Sequence, residues 1–316
     1  MDVGPTGNFP NNLLEFEERF HTEEACLEYL IALRWLEGFR CAACGHDRAW
    51  RTGQPGMRCP RCQREVAVLA GTMLEGTRKP LRFWFRAMWW VATQKRGLSA
   101  KGFTREMGLS SYQTAWTWLH KLRRCMVRIG RAPLSGRVEV DETYVGGEEP
   151  GLRGRWIEDK ALVVIAAEED DAGIGRIRLK HIPDASGVSL IPFVVEAVAP
   201  GSVVHTDGWL GYSGLAGKGF THEVSIIAPK PERAAALLPR VHRVASLLKR
   251  WLLGTHQGAV SNKHLQRYLD EYTFRFNRRR SRHPGKIFFR LAQQVVAMER
   301  TTYRDLVDSD RGSPPQ

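Results

Sequence analysis

Two acidic residues stand at places in the sequence where strand patterns would bring carboxylates together. Side chains alternate along VEVDETY, so Glu139, Asp141 and Thr143 share one face of a predicted strand. A carboxylate in the middle of a buried strand is unfavourable unless it binds something. Asp207 ends a second apolar strand, VVHTD, and is followed by a glycine. Two such acids on neighbouring strands can share divalent cations, as in two-metal phosphoryl transfer, and strand-end capping is the alternative.

A predicted helix further along the chain carries polar residues on one face. The pattern that begins at Leu238 buries an apolar stripe and places His242, Ser246 and Lys249 at positions i, i+4 and i+7 of the adjoining face. We expect that face to look toward the two carboxylates. Lys249 stands beside Arg250, so a simply exposed lysine is the alternative to a contact with DNA.

Four of the six cysteines form two CxxC pairs. Cys41 and Cys44 are separated by 14 residues from Cys59 and Cys62, a spacing with which two β-knuckles present four thiolates to one Zn²⁺. Four thiolates close the coordination sphere, so the zinc would be structural, and four unpaired core cysteines are the alternative. Arginines surround the pairs and predict either phosphate contacts or a solvated charged face: they are Arg40, Arg48, Arg51, Arg58, Arg61 and Arg64.

The N-terminal half of the chain divides into three predicted modules. Residues 1–38 form an arm and a helix, and residues 39–74, with short β-prone pieces and many turn residues, form a zinc ribbon. Residues 80–130 hold an aromatic helix followed by two helical patterns that Gly108 separates, which predicts a helix-turn-helix DNA-binding region. Its tryptophans recur on helix faces and are interpreted as core. The second helix of the pair carries residues suited to base edges and phosphates, namely Ser111, Gln113, Thr114, Thr117, Lys121, Arg123 and Arg124.

The C-terminal half switches to strand patterns. Residues 137–300 contain three strands, a helix, two more strands and then helices, which predicts a mixed sheet flanked by helices. A polar tail over residues 304–316 is predicted to be disordered. The fold class that follows is a multi-domain α/β protein.

The composition favours a folded protein with a polyanionic partner. Lys plus Arg number 47 against 34 Asp plus Glu, a formal net charge of +13, which makes nucleic acid the leading candidate. Hydrophobic residues at 43% and charged residues at 26% exclude wholesale disorder and a fibrous architecture. The apolar run 83–92 is interrupted by an arginine and too short to span a membrane, and residues 1–12 lack a secretory signal pattern. We therefore expect a cytoplasmic bacterial protein without membrane partners, associated with the nucleoid when bound to DNA.

Taken in order, five segments resemble the DDE insertion-sequence transposases that carry an N-terminal zinc ribbon. They are CAAC…CPRC, LAGTMLEGTRKPL, VEVDETYVGG, VVHTDGWLGY and VHRVASLLKRWLLGTHQGAVSNKHLQRYLDEYTFRFNRR, and they span roughly residues 15–295. The resemblance implies an RNase H-like catalytic domain in which two aspartates bind catalytic Mg²⁺ or Mn²⁺. It assigns these roles to Asp141 and Asp207.

The third metal-ligand position departs from the family's pattern. In the family it is most often Glu, with a Lys seven residues later, and the resemblance places His242 and Lys249 there. Imidazole is a poorer ligand than carboxylate for Mg²⁺ but suits Mn²⁺, so the second metal site would be weaker or differently charged. The alternatives are a decayed copy or an acid supplied from elsewhere, with Glu223, Glu232 and Glu271 as candidates.

The resemblance implies a transposase that binds the terminal inverted repeats of its element and then cleaves and joins DNA strands as a homo-oligomer. Metal-activated water would cut at the element's end, the freed 3′-hydroxyl would attack target DNA, and Lys249 would hold a phosphate near the cut. One alternative is a catalytically inactive or domesticated transposase that acts as a sequence-specific DNA-binding protein. Another is an RNase H-type nuclease on RNA–DNA hybrids, which leaves the N-terminal modules unexplained.

Overall fold

The computed structural model divides the chain into two units, residues 1–128 together with 280–316, and residues 129–279. None of the helices it describes is long and apolar enough to cross a membrane. The residues that the structure describes are 9–53, 55–128, 130–146, 160–171, 173–226, 237–257 and 260–308.

The secondary structure follows the chain in this order. The helices are α1 (Leu13–Arg19), α2 (Glu23–Arg34), α3 (Leu81–Thr93), α4 (Ala100–Glu106), α5 (Tyr112–Arg124), α6 (Gly187–Ala197), α7 (Pro239–His256), α8 (Leu265–Asn277), α9 (Pro284–Ala297) and α10 (Tyr303–Val307). The strands are β1 (Trp50–Arg51), β2 (Gly56–Arg58), β3 (Glu65–Ala67), β4 (Arg137–Val145), β5 (Ala161–Asp170), β6 (Gly173–Ile182), β7 (Val203–Asp207) and β8 (Thr221–Ser225).

An aromatic core holds the helices of the first unit together. Phe16, Phe20 and Tyr29 from α1 and α2 pack against α3 and against Phe288 of α9, whose side chain is fully buried. Trp84 and Trp118 stack with ring centroids 3.8 Å apart, which ties α3 to α5. Such large aromatic side chains bury more apolar area than any other residue type, so they dominate this core. The tryptophans Trp84, Trp89 and Trp118 are all buried, in agreement with their interpretation as core.

Helix α9 is where the structure differs most from the sequence-based division of the chain. The predicted catalytic domain runs to residue 300, whereas α9 packs on α2 and α3 of the first unit. Gly285 lets the segment before α1 approach the start of α9, because a Cβ at Gly285 would lie 2.4 Å from the backbone oxygen of Pro10. Two further elements were not predicted. Helix α1 precedes the expected helix, and α10 begins in a capping box of Thr302 and Asp305, inside the region predicted as a disordered tail, whose residues 309–316 lie outside the described ranges.

The second unit is built on a five-stranded sheet with the order β6-β5-β4-β7-β8. Strand β5 is antiparallel to both of its neighbours, β4 and β6, while β7 runs parallel to β4 and β8 runs parallel to β7. One face of the sheet packs against α7 and α8 through Val163, Ile165 and Leu248, and the other packs against α6 through Val138, Val140 and Phe193. The predicted mixed sheet with helices on both sides is confirmed.

Side chains of α8 cover the outer edge of β6. Asn277 accepts a hydrogen bond from the backbone N–H of Ile177 (2.8 Å) and donates one to its carbonyl (3.2 Å). Gln266, three helical turns earlier, likewise accepts from His181 N–H and donates to the Leu179 carbonyl. The two amides therefore replace a neighbouring strand, which satisfies backbone groups that an open sheet edge would leave unpaired.

Candidate functional site

Asp141 and Asp207 lie on adjacent parallel strands, β4 and β7. The pairing of these strands ends with Glu139 opposite His205, and Asp141 and Asp207 each follow two residues after that pair. Parallel strands in register point equivalent side chains to the same face, here the face that packs against α7. The two aspartates are thus on neighbouring strands of the sheet, and their joint role in binding metal stays a prediction.

Each of the two carboxylates is oriented by a local hydrogen bond. Asp141 Oδ1 accepts from the backbone N–H of Glu142 at 2.8 Å, and Asp207 Oδ1 accepts from that of Trp209 at 3.0 Å. Tyr212 donates its hydroxyl proton to Glu142 at 2.9 Å. Burial, followed by the charges of Glu142 and Asp141, raises the pKa of Tyr212 well above its usual range, so its hydroxyl remains a donor. Tyr212 is fully buried and cannot stack on a DNA end.

His242 of α7 is the third side chain at this site. Its Nε2 lies 3.8 Å from Asp141 Oδ2, and it is shielded from solvent without a hydrogen-bond partner among the described residues. A buried polar atom without a partner is uncommon and suits a ligand atom. An open pocket with an empty volume of about 300 Å³ lies between His242, Asp141 and Thr143. Carboxylate and imidazole are ligand types that suit a divalent ion such as Mn²⁺ or Mg²⁺. The donor atoms of Asp141, Asp207 and His242 do not all lie within 4.8 Å of one another, a distance that among the described residues the four paired cysteines meet.

The other acids weighed for the third position are engaged elsewhere. Glu271 is buried in α8 and pairs with Arg275 at 2.7 Å, while Glu223 on β8 pairs with Arg137. Glu232 lies outside the described residues. Of the residues weighed for the third metal-ligand position, His242 is therefore the one that the structure describes beside Asp141.

Lys249 lies seven residues after His242 on α7, and it is exposed to solvent. Partial desolvation, followed by the charge of Lys160, lowers the pKa of its ammonium group from the usual value. An exposed ammonium group at this position is able to contact a DNA phosphate.

Two residues beside the candidate site had no role assigned from the sequence, although Glu139 was predicted to share the strand face of Asp141. Glu139 is 2% exposed on the same face as Asp141, and Arg240 at the start of α7 donates to it at 2.7 Å. Two features of the sequence could have indicated the contact between Glu139 and the start of α7. Leu238 and Pro239 begin a helix and cannot cap it with their side chains, and Glu139 is an acid in a strand predicted to be buried.

The four paired cysteines of the first unit converge on one point. Cys41 and Cys62 have their sulfur atoms 3.6 Å apart, as have Cys44 and Cys59, and all four sulfurs lie within 4.8 Å of one another. These separations are too long for disulfides and fit four thiolates around one ion. Strands β1, β2 and β3 form the small antiparallel sheet beside them.

The two cysteine pairs are held by matching backbone turns. Gly45 N–H donates to the Cys41 carbonyl and Gln63 N–H to the Cys59 carbonyl, and both residues, four positions after the first cysteine of each pair, have positive φ. Within the first turn, backbone N–H groups of Ala43 and Cys44 donate to the Cys41 sulfur and lower the pKa of its thiol to about 6. At Cys41 these donors therefore favour the thiolate, the form of cysteine that binds Zn²⁺.

Helices α4 and α5 correspond to the predicted helix pair, joined by a turn in which Gly108 has φ +59°. Tyr112 and Gln113 at the start of α5 are exposed. Arg123 was expected to be available for phosphates, but its side chain is only 2% exposed because α5 buries that face. Arg124 donates a hydrogen bond to Thr301 at 2.7 Å.

Two family models match the chain in the two regions just described. Residues 133–277 match the ISXO2-like transposase domain, and residues 21–65 match the transposase zinc-ribbon domain. The paired carboxylates and the cysteine cluster thus lie within domains of the transposase class. The chain thus carries a transposase domain and a transposase zinc-ribbon domain, the two domains of the DDE insertion-sequence transposases that its motifs resemble.

Two solved structures are similar to the chain at 14% sequence identity. The structure of the simian T-cell lymphotropic virus intasome with the PP2A regulatory subunit B56 gamma matches with a TM-score of 0.29 over 52% of this chain and 63% of that chain. The pre-cleavage Mos1 transpososome matches with a TM-score of 0.26 over 76% of this chain and 82% of that chain. The chain therefore spans less than two thirds of the first structure, and no curated protein matches the sequence.

Proposed function

We propose that this protein binds the terminal inverted repeats of an insertion sequence and catalyses metal-dependent cleavage and transfer of DNA strands. The observation that supports the proposal is the position of His242, whose Nε2 lies 3.8 Å from Asp141, beside the parallel pair of strands β4 and β7 that carry Asp141 and Asp207. The strand order, with three antiparallel strands followed by two parallel ones, supports the RNase H-like assignment of this unit.

In this proposal Asp141, Asp207 and His242 hold the catalytic Mg²⁺ or Mn²⁺. The bound metal would supply the activation of water and the stabilisation of the leaving 3′-oxygen in the phosphoryl transfer. The backbone N–H groups of Glu142 and Trp209 keep the two aspartates turned toward the face of α7. Lys249 would hold a DNA phosphate near the cut.

DNA binding would fall to the first unit. The ribbon's arginines divide into two groups, because Arg51 pairs with Glu24 and Glu28, and Arg58 pairs with Glu65. The remaining ones are exposed and suited to phosphate contacts, namely Arg40, Arg48, Arg61 and Arg64. Tyr112 and Gln113 on α5 are exposed and would contact bases if α5 acts as a recognition helix. The protein would act as a homo-oligomer on repeat and target DNA, in the bacterial cytoplasm at the nucleoid.

The proposal is tested by cleavage of a labelled duplex that carries the flanking inverted repeat, with Mg²⁺ and with Mn²⁺. Asp141→Ala and Asp207→Ala are each expected to abolish nicking at the repeat end while repeat binding persists. Asp184→Ala is the matched control, because Asp184 lies in the same unit and accepts hydrogen bonds only from Ser186 and Ser189 among the described residues.

Each outcome decides between the functions considered. If wild type cuts and both active-site variants do not, the enzyme assignment stands. If wild type binds the repeat and never cuts, the protein acts as a sequence-specific DNA-binding protein instead. If RNA–DNA hybrids are cut in preference to the repeat, the nuclease alternative replaces the transposase.

A further inference from the structure

Glu139 is a buried carboxylate for which the catalytic scheme above has no role. It lies two residues before Asp141 on β4, on the same face of the sheet, and its side chain is 2% exposed. Its Oε2 accepts hydrogen bonds from the backbone N–H of Arg240 at 2.7 Å and of Val241 at 3.0 Å. Both donors belong to the first turn of α7. A charge buried to this degree persists only where it is fully partnered.

The start of α7 has no capping side chain of its own. Its N-cap is Leu238 and its first residue is Pro239, and neither side chain can accept a hydrogen bond from the first turn. The first backbone N–H groups of a helix have no partner within the helix, and its N-terminus attracts negative charge. Glu139 supplies both the acceptor and the charge from the neighbouring strand.

The same solution recurs in the first unit, at the start of α3. The N-cap of α3 is Pro80, which likewise makes no side-chain capping bond. Glu23 of α2 accepts from the backbone N–H groups of Leu81 (2.7 Å) and Arg82 (3.0 Å). A carboxylate from another element therefore caps both helices, and only the cap of α7 lies beside the candidate active site.

Arg240 extends this contact over three strands. Its Nη1 donates to Glu139 at 2.7 Å, its Nη2 pairs with Glu169 of β5, and its Nε donates to the carbonyl of Gly173, where β6 begins. The backbone and the guanidinium of one residue are thus both held by the sheet. These bonds fix the position of α7 along the strands and also its rotation about its own axis.

The rotation of α7 decides which side chains face the aspartates. His242 follows Arg240 by two residues, and its Nε2 reaches to 3.8 Å from Asp141. A slip of one residue would turn the helix by about 100° and carry the imidazole away from the carboxylate. Lys249, seven residues further on, shares the face of His242 and would turn with it.

We propose that Glu139 is a positioning residue, which fixes the rotation of α7 so that His242 and Lys249 face Asp141 and Asp207. Its effect on DNA cleavage rests on the proposed function. Its effect on the first turn of α7 does not, and the two effects can be measured separately.

The test uses the full-length, zinc-loaded protein with the substitution Glu139→Gln, which keeps the shape of the side chain and removes its charge. Glu168→Gln is the matched control, because Glu168 is a mostly buried carboxylate of the same sheet that holds Arg176 and the backbone N–H of Ser135. The double variant Glu139→Met/Arg240→Met replaces the buried pair by apolar side chains and serves if the single variant does not fold.

Two readouts are taken for every variant. Hydrogen–deuterium exchange of the peptide that contains Arg240 and Val241 reports the cap, with Tm measured alongside. The cleavage rate at saturating repeat DNA and the Kd for that DNA report the effect of the cap on catalysis and on DNA binding. For Glu139→Gln we expect faster hydrogen exchange in the first turn of α7. We also expect the cleavage rate to fall by roughly 100-fold at unchanged Kd, since small displacements of catalytic groups lower reaction rates by about that factor. For Glu168→Gln we expect a lower Tm and a cleavage rate within about twofold of wild type.

Three results would overturn the proposal. One is unchanged exchange in the first turn of α7 in the Glu139 variants. Another is a wild-type cleavage rate in Glu139→Gln. The third is an equal loss of cleavage in Glu168→Gln at matched Tm, which would show a general effect of stability. If wild type itself never cuts, the proposed function fails, while the exchange comparison still decides whether Glu139 holds α7.

Discussion

The imidazole of His242 reaches across from α7 to strand β4 and places its Nε2 3.8 Å from Oδ2 of Asp141. The two residues are 101 positions apart in the chain. In the proposed function, this proximity would put a nitrogen ligand where the family most often has a carboxylate. Substitutions at and around the site test the effect of having histidine there in place of glutamate.

The first prediction concerns the choice of metal ion. His242→Glu is expected to raise activity with Mg²⁺ relative to activity with Mn²⁺ by about tenfold, because carboxylate is the better ligand for the harder ion and ligand changes shift affinity on that scale. The measurement is the cleavage rate across a series of Mg²⁺ and Mn²⁺ concentrations. His242→Ala is the control for simple loss of the imidazole. An unchanged Mg²⁺-to-Mn²⁺ ratio in His242→Glu would contradict a ligand role.

The second prediction concerns Lys249 as a phosphate contact. Lys249→Ala is expected to weaken binding of repeat DNA and to reduce the slope of log affinity against log salt concentration by about 1, the value for one lost phosphate contact. Binding is measured at several salt concentrations. Arg250→Ala is the control, because it removes one positive charge, as Lys249→Ala does, from the adjacent position on α7. Equal slopes for the two variants would point to a diffuse electrostatic effect instead of a contact.

The third prediction concerns the cysteine cluster. Cys59→Ser is expected to abolish zinc binding and unfold the ribbon, because a structural zinc supplies much of the folding free energy of so small a module. Zinc content by elemental analysis and repeat binding are the measurements. Cys26→Ser is the control, since Cys26 is equally buried but lies outside the cluster. Full zinc content in Cys59→Ser would exclude the four-thiolate site.

The fourth prediction concerns the stability of the second unit as a function of pH. Burial raises the pKa of Asp270 in α8 to about 6, against the opposing effects of the hydrogen bond from Gln266 and of the charges of Arg131 and Arg267. Because the folded state binds the proton more tightly than the unfolded state does, this contribution to stability is complete below the unfolded pKa. It is lost as the pH rises through about 6.

Asp270→Asn should therefore stabilise the protein at neutral pH, by about 2 kcal/mol, because the amide needs no deprotonation and still accepts from Gln266. The gain should shrink toward zero near pH 4, about where the unfolded aspartate is itself protonated. Denaturant unfolding at a series of pH values measures it. A gain of the same size at every pH would rule out titration of Asp270 as the cause.

The fifth prediction concerns the covered edge of β6. Asn277→Ala is expected to lower the free energy of unfolding by about 1–3 kcal/mol, because it removes both partners of the Ile177 backbone. Denaturant unfolding gives the value, and Asn262→Ala, at an exposed position, is the control. A loss no greater than that of the control would mean that water replaces the amide without penalty.

Much of the molecule followed from local patterns in the sequence. Apolar periodicity predicted the strands of the second unit and the long helices, because side-chain alternation depends only on neighbouring residues. Strand β4 over Arg137–Val145 contains the whole of the predicted VEVDETY strand. The spacing of the four cysteines likewise predicted their cluster, since a metal knuckle closes within a few residues.

Other features were decided only by the tertiary structure. Helix α9 packs on α2 and α3 although it follows the sheet in sequence, and the burial of Arg123 depends on what surrounds α5. The cap that Glu139 places on α7 joins residues about a hundred positions apart. Long-range packing chooses among many partners of similar chemistry, and local patterns carry no information on that choice. The sequence by itself therefore determined which groups could perform the chemistry, while the folded chain decided which of them meet.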